Sequence, residues 1–301
     1  MSYFAVKMIA IITMFIDHIG VVVGSSGLGM ITYNNTFVLR TIGRIALPIF
    51  AYNIINGWNH TKYKPNYIYR LILFACISQI PFSLVVNPIN YAIKFDTISA
   101  FTALNFDTMP INFWIIALVF LASHIIMYKN SDPKMTIALL IATLFTLISV
   151  RTDAGLLYTN PYKLNVFYTL GTAAYIFGEL EAFRNSSKDS IPLIRILRVL
   201  SIFTIAFLFC SFSDYSFMGL FLILAIYAAR NNKLLQLTII AFWCILIYKT
   251  SMYFLTSALL SVLVIYLYNG KKGYSNKYLQ ILTYIFYPLH LSILGLIVLF
   301  K

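Results

Sequence analysis

Phe4 to Gly24 reads FAVKMIAIITMFIDHIGVVVG. Its reading decides the fold, because a membrane-length apolar run carries an acid and an imidazole, Asp17 and His18, well inside its span. A helix needs about 20 mostly apolar residues to cross the hydrocarbon core of a bilayer. A charge at the centre of such a helix costs about 2.5–3.5 kcal/mol even on the lenient insertion scale, so it faces a bundle interior or a wet cavity. The doublet therefore has two readings, a buried polar pair that knits helices together or a reaction centre. The run has no small-residue cleavage site after it, so it is expected to be a retained span and not a signal peptide.

The rest of the chain follows the same pattern. Its 301 residues are 60% hydrophobic and 10% charged, with mean hydropathy +0.84. A soluble domain cannot hide that much apolar surface. Lipid offers no partners for backbone polar groups, and long runs without alternation give helices, not barrel strands. The expected fold is all-α, a polytopic membrane bundle of about ten to eleven transmembrane helices in one domain, residues 1–301.

Apolar runs fall near 4–24, 37–57, 67–87, 110–128, 134–150, 163–180, 193–212, 214–229, 233–249, 251–268 and 278–300. With a cytoplasmic N-terminus, the inner loops hold Lys62 and Lys64, Lys129 and Lys134, Arg184, Lys188 and Arg195, Arg230 and Lys233, and Lys271, Lys272 and Lys277. The outer loops hold mainly Lys94, Arg151 and Lys249, beside Asp96, Asp107, Asp153 and Asp214. That alternation is what the positive-inside rule demands of a correct count. The net charge of +13 is scattered in these short clusters, which read as topology signals and not as a nucleic-acid surface. Cys76, Cys210 and Cys244 lie in apolar runs without metal-ligand spacing and are assigned no chemistry.

Helical rise gives the doublet company. At about 1.5 Å per residue from the inner end of each span, Asp17 and His18 lie at roughly 20 Å, Arg44 at roughly 20 Å, Asn165 at roughly 22 Å and His290 at roughly 18 Å. One shared polar cavity would place them in one layer. Arg44 is the natural cation for Asp17, since a guanidinium offers a rigid fork to a carboxylate. His18 suits a general base, able to change protonation near neutral pH. Adjacent helical residues point about 100° apart, so Asp17 is expected to hold Arg44 or His290, not to orient His18. Tyr287, three residues before His290, shares its face and is a candidate to orient it or to relay a proton. Arg70, near Lys62 and Lys64, reads either as a snorkelling anchor or as a grip for the phosphates of an anionic cosubstrate. Arg40 divides between outer anchor and cavity wall. His124 and Glu179, near inner helix ends, read as interfacial. Pro48, Pro81 and Pro288 are expected to kink their helices. A metal site is not expected beside Arg44, and no phosphate loop, dinucleotide fingerprint or hydrolase elbow is present.

Several ordered stretches carry a resemblance: Met14 to Gly20, Ile42 to Ala51 with Gly57 and Thr61, Tyr69-Arg70-Leu71 with Gln79 to Phe82, Leu164 to Phe167 with Thr169 and Gly171, Tyr268 to Gly273, and Phe286 to Leu291. Together they resemble the TraX family, similar to the wider group of transmembrane acyltransferases. TraX acetylates the N-terminus of F-type pilin in conjugation. The resemblance implies an integral membrane acyltransferase in a bacterial cytoplasmic membrane. Acetyl-CoA would be the cytoplasmic donor, and the acceptor an amine or hydroxyl of a pilin, a peptide or a surface glycan. It departs from the family in two places: Asp214-Tyr215-Ser216 stands where Asp-Tyr-Gly is usual, and 83–163 is long, as if it held an inserted helical hairpin.

On this reading His18 is the base, Asp17 fixes Arg44 or His290, and His290 assists. Arg44 and Asn165 offer donors to an oxyanion, Tyr287 lies at the substrate, and Arg70, Lys62 and Lys64 hold the donor's phosphates. The rival is a proton-coupled transporter, for which intramembrane Asp, His and Arg are equally natural, although no inverted repeat is visible. An envelope scaffold explains the basic loops but not the polar layer.

Overall fold

The computed structural model describes residues 1–25, 33–86, 111–127, 133–150, 164–185, 192–274 and 276–300. Its helices are α1 (Tyr3–Ser25), α2 (Tyr33–Gly43), α3 (Ala46–His60), α4 (Lys64–Val86), α5 (Ile111–Met127), α6 (Pro133–Val150), α7 (Val166–Asn185), α8 (Pro192–Cys210), α9 (Ser216–Ala228), α10 (Lys233–Tyr248), α11 (Met252–Tyr266) and α12 (Lys277–Leu299). Each apolar run in the sequence holds a helix. Pairing between extended segments is confined, among the described residues, to one isolated bridge of Leu164 to Ser213. The fold is an all-α membrane helical bundle. Tyr3–Gly24, Asn35–His60, Pro192–Cys210 and Tyr278–Val298 are each long and apolar enough to cross a bilayer. Large apolar side chains face outward as well as inward, Phe203 being 70% exposed and Leu118 64%. Such a surface suits lipid, since soluble monomers rarely expose broad apolar patches. Lys94, Asp96, Asp107, Lys129, Arg151, Asp153 and Lys188, and most of the long 83–163 interval's connecting segments, lie outside the described residues.

The chain forms two compact units. The first takes in Met1–His60, Pro81–Ile89 and Phe221–Lys301, and the second Thr61–Ile80 and Asn90–Leu220. In the first, α1 packs on α2, α3 and α12, while α11 packs on α2, α3 and α10. Glycines allow the closest of these approaches. A Cβ at Gly20 would stand 3.0 Å from Leu39 Cβ, and one at Gly24 2.8 Å from Thr36 Cγ2. Small residues four apart are the usual means of bringing membrane helices together. In the second unit, α8 packs on α5, α6 and α7.

The second apolar run is broken at Arg44 and Ile45, whose N–H groups donate to Thr41 and Ile42 at 3.1 and 3.3 Å in tightened turns. Pro48 supplies the cause. It has no N–H for the Arg44 carbonyl and its ring crowds that group, so it is accommodated in the first turn of a new helix, α3. Pro81 and Pro288 stay inside α4 and α12. Asn232, Ser251 and Asn276 cap α10, α11 and α12 through their side-chain oxygens.

Two further motifs gain a structural account. Tyr3 and Phe4 donate backbone hydrogen bonds to Lys271 and Lys272 carbonyls at 2.8 and 3.3 Å, so the start of α1 is docked on the segment between α11 and α12. Gly270 and Gly273 hold that segment at φ 75° and 71°, and a Cβ on Gly273 would collide with Ser2. Ser216 adopts φ 46°, a region that favours glycine. The serine in place of the family's usual glycine therefore sits in a glycine's backbone conformation.

Candidate functional site

The first unit gathers most of the polar groups that sequence depth puts in one layer. Asp17 on α1 accepts from two arginines, Arg40 Nη1 to Oδ2 at 2.7 Å and Arg44 Nη2 to Oδ1 at 2.9 Å. Arg44 Nε also donates to the Arg40 carbonyl at 2.9 Å, and its guanidinium lies 5.3 Å from the Phe254 ring centre. The helix break positions this cluster, since it ends α2 just before Arg44. A Cβ on Gly43 would overlap Asp17, so the carboxylate occupies the space that glycine leaves. Of the two partners open to Asp17 in the sequence, Arg44 is the one it meets, and Arg40 pairs with the same carboxylate.

His18 points elsewhere, as the 100° turn requires. Its Nδ1 lies 2.7 Å from His290 Nε2, and the rings are nearly parallel with centres 5.0 Å apart. His290 Nδ1 is 2.7 Å from the Phe286 carbonyl, one turn back on α12. This geometry orders the protons. A carbonyl can only accept, so His290 Nδ1 carries hydrogen and, in the neutral ring, its Nε2 accepts. The hydrogen shared with His18 then belongs to His18 Nδ1. His18 Nε2 is left with its lone pair, and among the described residues it takes no hydrogen bond. Phe15 and Phe286 wall His290, with ring centres at 5.7 and 4.9 Å, and His290 is buried. Tyr287 is buried with its ring centre 5.9 Å from His18 and 5.5 Å from His290.

Asn165 is not part of this group. It belongs to the second unit, fully buried, where Nδ2 donates to the Ala75 carbonyl at 2.7 Å and to Gln79 Oε1 at 2.9 Å. Its Oδ1 accepts from Phe167 N at 3.0 Å, as a helix cap does for α7. Both amide donors are engaged in the fold, which removes the geometric reason for an oxyanion role. Arg70, Lys62 and Lys64 also belong to the second unit, Arg70 being exposed with Nε on the Asn66 carbonyl at 3.2 Å.

His124 and Glu179, which read as interfacial in the sequence, are buried inside the second unit. Glu179 Oε2 accepts from Arg198 Nη1 at 2.6 Å, and His124 Nδ1 lies 3.2 Å from the Tyr175 hydroxyl, itself 2.6 Å from Ser201 Oγ. Arg198 escaped the sequence reading, although a cation seven residues into the apolar α8 was the available signal. Cys76, Cys210 and Cys244 are buried free thiols, and among the described residues no cluster of His, Cys, Asp and Glu could hold a metal.

A helical membrane bundle with a histidine relay beside an arginine-clamped carboxylate defines a class, integral membrane proteins with a polar centre inside the bundle. Within that class, the TraX protein family model matches residues 2–153 and 134–298, and the chain belongs to the TraX family. A stretch of 78 residues is 33% identical to a protein named "Probable fimbrial assembly protein FimC, serogroup H1", from Dichelobacter nodosus. That stretch covers 26% of this chain and 30% of the relative, so the likeness spans less than a third of that protein. No solved structure matches the chain significantly.

Proposed function

We propose that the protein is a multi-pass acyltransferase of the bacterial cytoplasmic membrane, its N-terminus inside. It transfers an acetyl group from cytoplasmic acetyl-CoA to an amine or hydroxyl of an envelope acceptor. TraX membership and a relative named for fimbrial assembly favour a pilin-like acceptor over a free peptide or a surface glycan. The observation that carries the reading is the relay from the Phe286 carbonyl through His290 to His18, which leaves His18 Nε2 as the nitrogen without a hydrogen.

In the reaction, His18 Nε2 takes a proton from the acceptor as its nitrogen or oxygen attacks the thioester carbonyl. The carbon–sulfur bond then breaks, and the imidazolium returns the proton to the departing CoA thiolate. His290 holds His18 in the required tautomer and shares the positive charge during the step. Arg44, fixed by Asp17, supplies the cation toward which charge on the carbonyl oxygen develops. Tyr287 packs against both rings and shapes the acceptor side.

The test is transfer or hydrolysis of labelled acetyl-CoA by purified protein in nanodiscs. His18→Ala is expected to reduce turnover about 10²–10⁴-fold, the usual worth of a general base, and His290→Ala to reduce it comparably. Unchanged turnover in both variants overturns the reading. Substrate flux in liposomes without an acyl donor would instead establish the transporter.

A further inference from the structure

The third helix carries a polar seam that neither the ion cluster nor the histidine relay uses. Asn53 is 6% exposed, and both its Oδ1 and its Nδ2 are buried without a hydrogen-bond partner; Asn56 Nδ2 is in the same condition. Residues three apart on a helix share a face. Folds seldom leave buried amides unpaired, because each is penalised by its lost hydration. The neighbours Ile49, Ile54, Ile55 and Trp58 are buried and apolar, so α3 surrounds Asn53 with hydrocarbon, whereas Asn56 lies beside the Tyr52 hydroxyl.

The position of the seam narrows what it can receive. Asn53 lies about 10 Å along α3 from Ala46, at the helix break, and Asn56 about 5 Å further toward His60, at 1.5 Å per residue. Tyr52, beside Asn53 in the chain, packs its ring 6.0 Å from Tyr268. Tyr268 opens the Tyr268–Gly273 segment, which exposes Lys271 and Lys272 and whose Tyr268 carbonyl accepts from Lys233 Nζ at 2.7 Å. Along α3, the asparagines thus lie on the far side of the break from the Asp17–Arg40 cluster, beside the residue, Tyr52, that meets this segment. All of these residues belong to the first unit.

We propose that Asn53 and Asn56 bind the secondary amides in the pantetheine arm of a CoA thioester. The inference rests on the function proposed above and deepens it. A carboxamide with donor and acceptor both open pairs best with another amide. A phosphate would be repelled by Oδ1, and a thioester carbonyl, which only accepts, would leave Asn53 Oδ1 unused. An anionic head, an amide-bearing arm and a reactive acyl tip match, in order, the basic segment, the asparagine seam and His18. A peptide acceptor carries the same amide chemistry, and the experiment separates the two sources.

Equilibrium binding to the full-length protein in nanodiscs is measured with CoA, with its nucleotide half lacking the arm, and with a short acceptor-like peptide. Asn53→Leu and Asn56→Leu are each expected to weaken CoA binding about tenfold, the scale of one buried hydrogen bond. Affinity for the nucleotide half and the peptide should not change. Thermal midpoints should hold or rise, because leucine replaces an unpaired amide. Asn53→Gln, which keeps the amide, should recover part of the CoA affinity. Unchanged CoA affinity in both leucine variants overturns the inference alone, as does an equal loss for the nucleotide half, a loss confined to the peptide, or a large fall in thermal midpoint. Absence of CoA binding by the unaltered protein overturns the proposed function together with it.

Discussion

Replacing Asp17 by alanine is expected to destabilise the protein by about 3–5 kcal/mol, the cost of removing one partner from a buried ion pair. The estimate comes from unequal burial around the carboxylate. The Arg44 and Asp17 side chains are 11% and 14% exposed, whereas Arg40 is 33% exposed. Without Asp17, Arg44 keeps its charge in a low-dielectric surround, with the Arg40 carbonyl, the Tyr248 hydroxyl and the Phe254 ring as partial compensation. Arg44→Met costs less, about 2 kcal/mol, because Asp17 retains Arg40 and hydrogen bonds to charged groups are worth about 1.5–3 kcal/mol. Arg40→Met costs at most about 1 kcal/mol, the range of solvent-screened pairs. The assay is reversible unfolding in mixed detergent–lipid micelles followed by tryptophan fluorescence, with all three variants under one condition. The expected order is Asp17→Ala, then Arg44→Met, then Arg40→Met. If Arg40→Met costs as much as Asp17→Ala, or if Asp17→Ala costs under about 1 kcal/mol, the buried-counterion account is wrong.

Ser216→Gly should stabilise the protein by about 1 kcal/mol, since a left-handed conformation costs a residue with a Cβ about 1–2 kcal/mol and glycine's extra freedom when unfolded takes back part of the gain; the unfolding midpoint reads it. Gly43→Ala should displace the Asp17 carboxylate and lower both stability, by about 1–3 kcal/mol as for overpacked sites, and acetyl transfer, while Thr41→Ser, two residues earlier, changes neither. In the second unit, Arg198→Met alone should cost about 3–5 kcal/mol by removing one member of a buried ion pair, whereas Glu179→Leu with Arg198→Met should cost less; equal losses in the two proteins would mean that the pair is not buried as a unit.

Much of this was legible because charge is costly in an apolar run. Asp17, His18, Arg44 and His290 stood out for that reason, and four of the polar groups assigned to one depth do meet in one unit. Asn165 shows the limit of the method. Depth is a single coordinate and does not say which helices are neighbours, so a capping asparagine of α7 was given the same layer. Pro48 was read as a kink, but only the packing shows that it ends one helix and begins another at the arginine that matters. Asn53 and Asn56 were invisible for a different reason. An asparagine is common and uncharged, and what singles these out is the lack of a partner, which depends on everything around them. Arg198 was legible by the rule that found Arg44, and His124 and Glu179 were misplaced because proximity to a helix end was taken as access to the surface.

The docking of α1's first residues on the Lys271 and Lys272 carbonyls, together with the contact of His18 with His290, bears on the order in which the molecule is made. Chains emerge N-terminus first, so α1 enters the membrane long before its final partners exist. Until the segment after α11 is made, Tyr3 and Phe4 lack their acceptors, and until α12 follows, His18 lacks the ring that sets its tautomer. The relay therefore exists only once α12 has been made, and a chain stalled before α12 holds an imidazole on α1 without the ring that orients it.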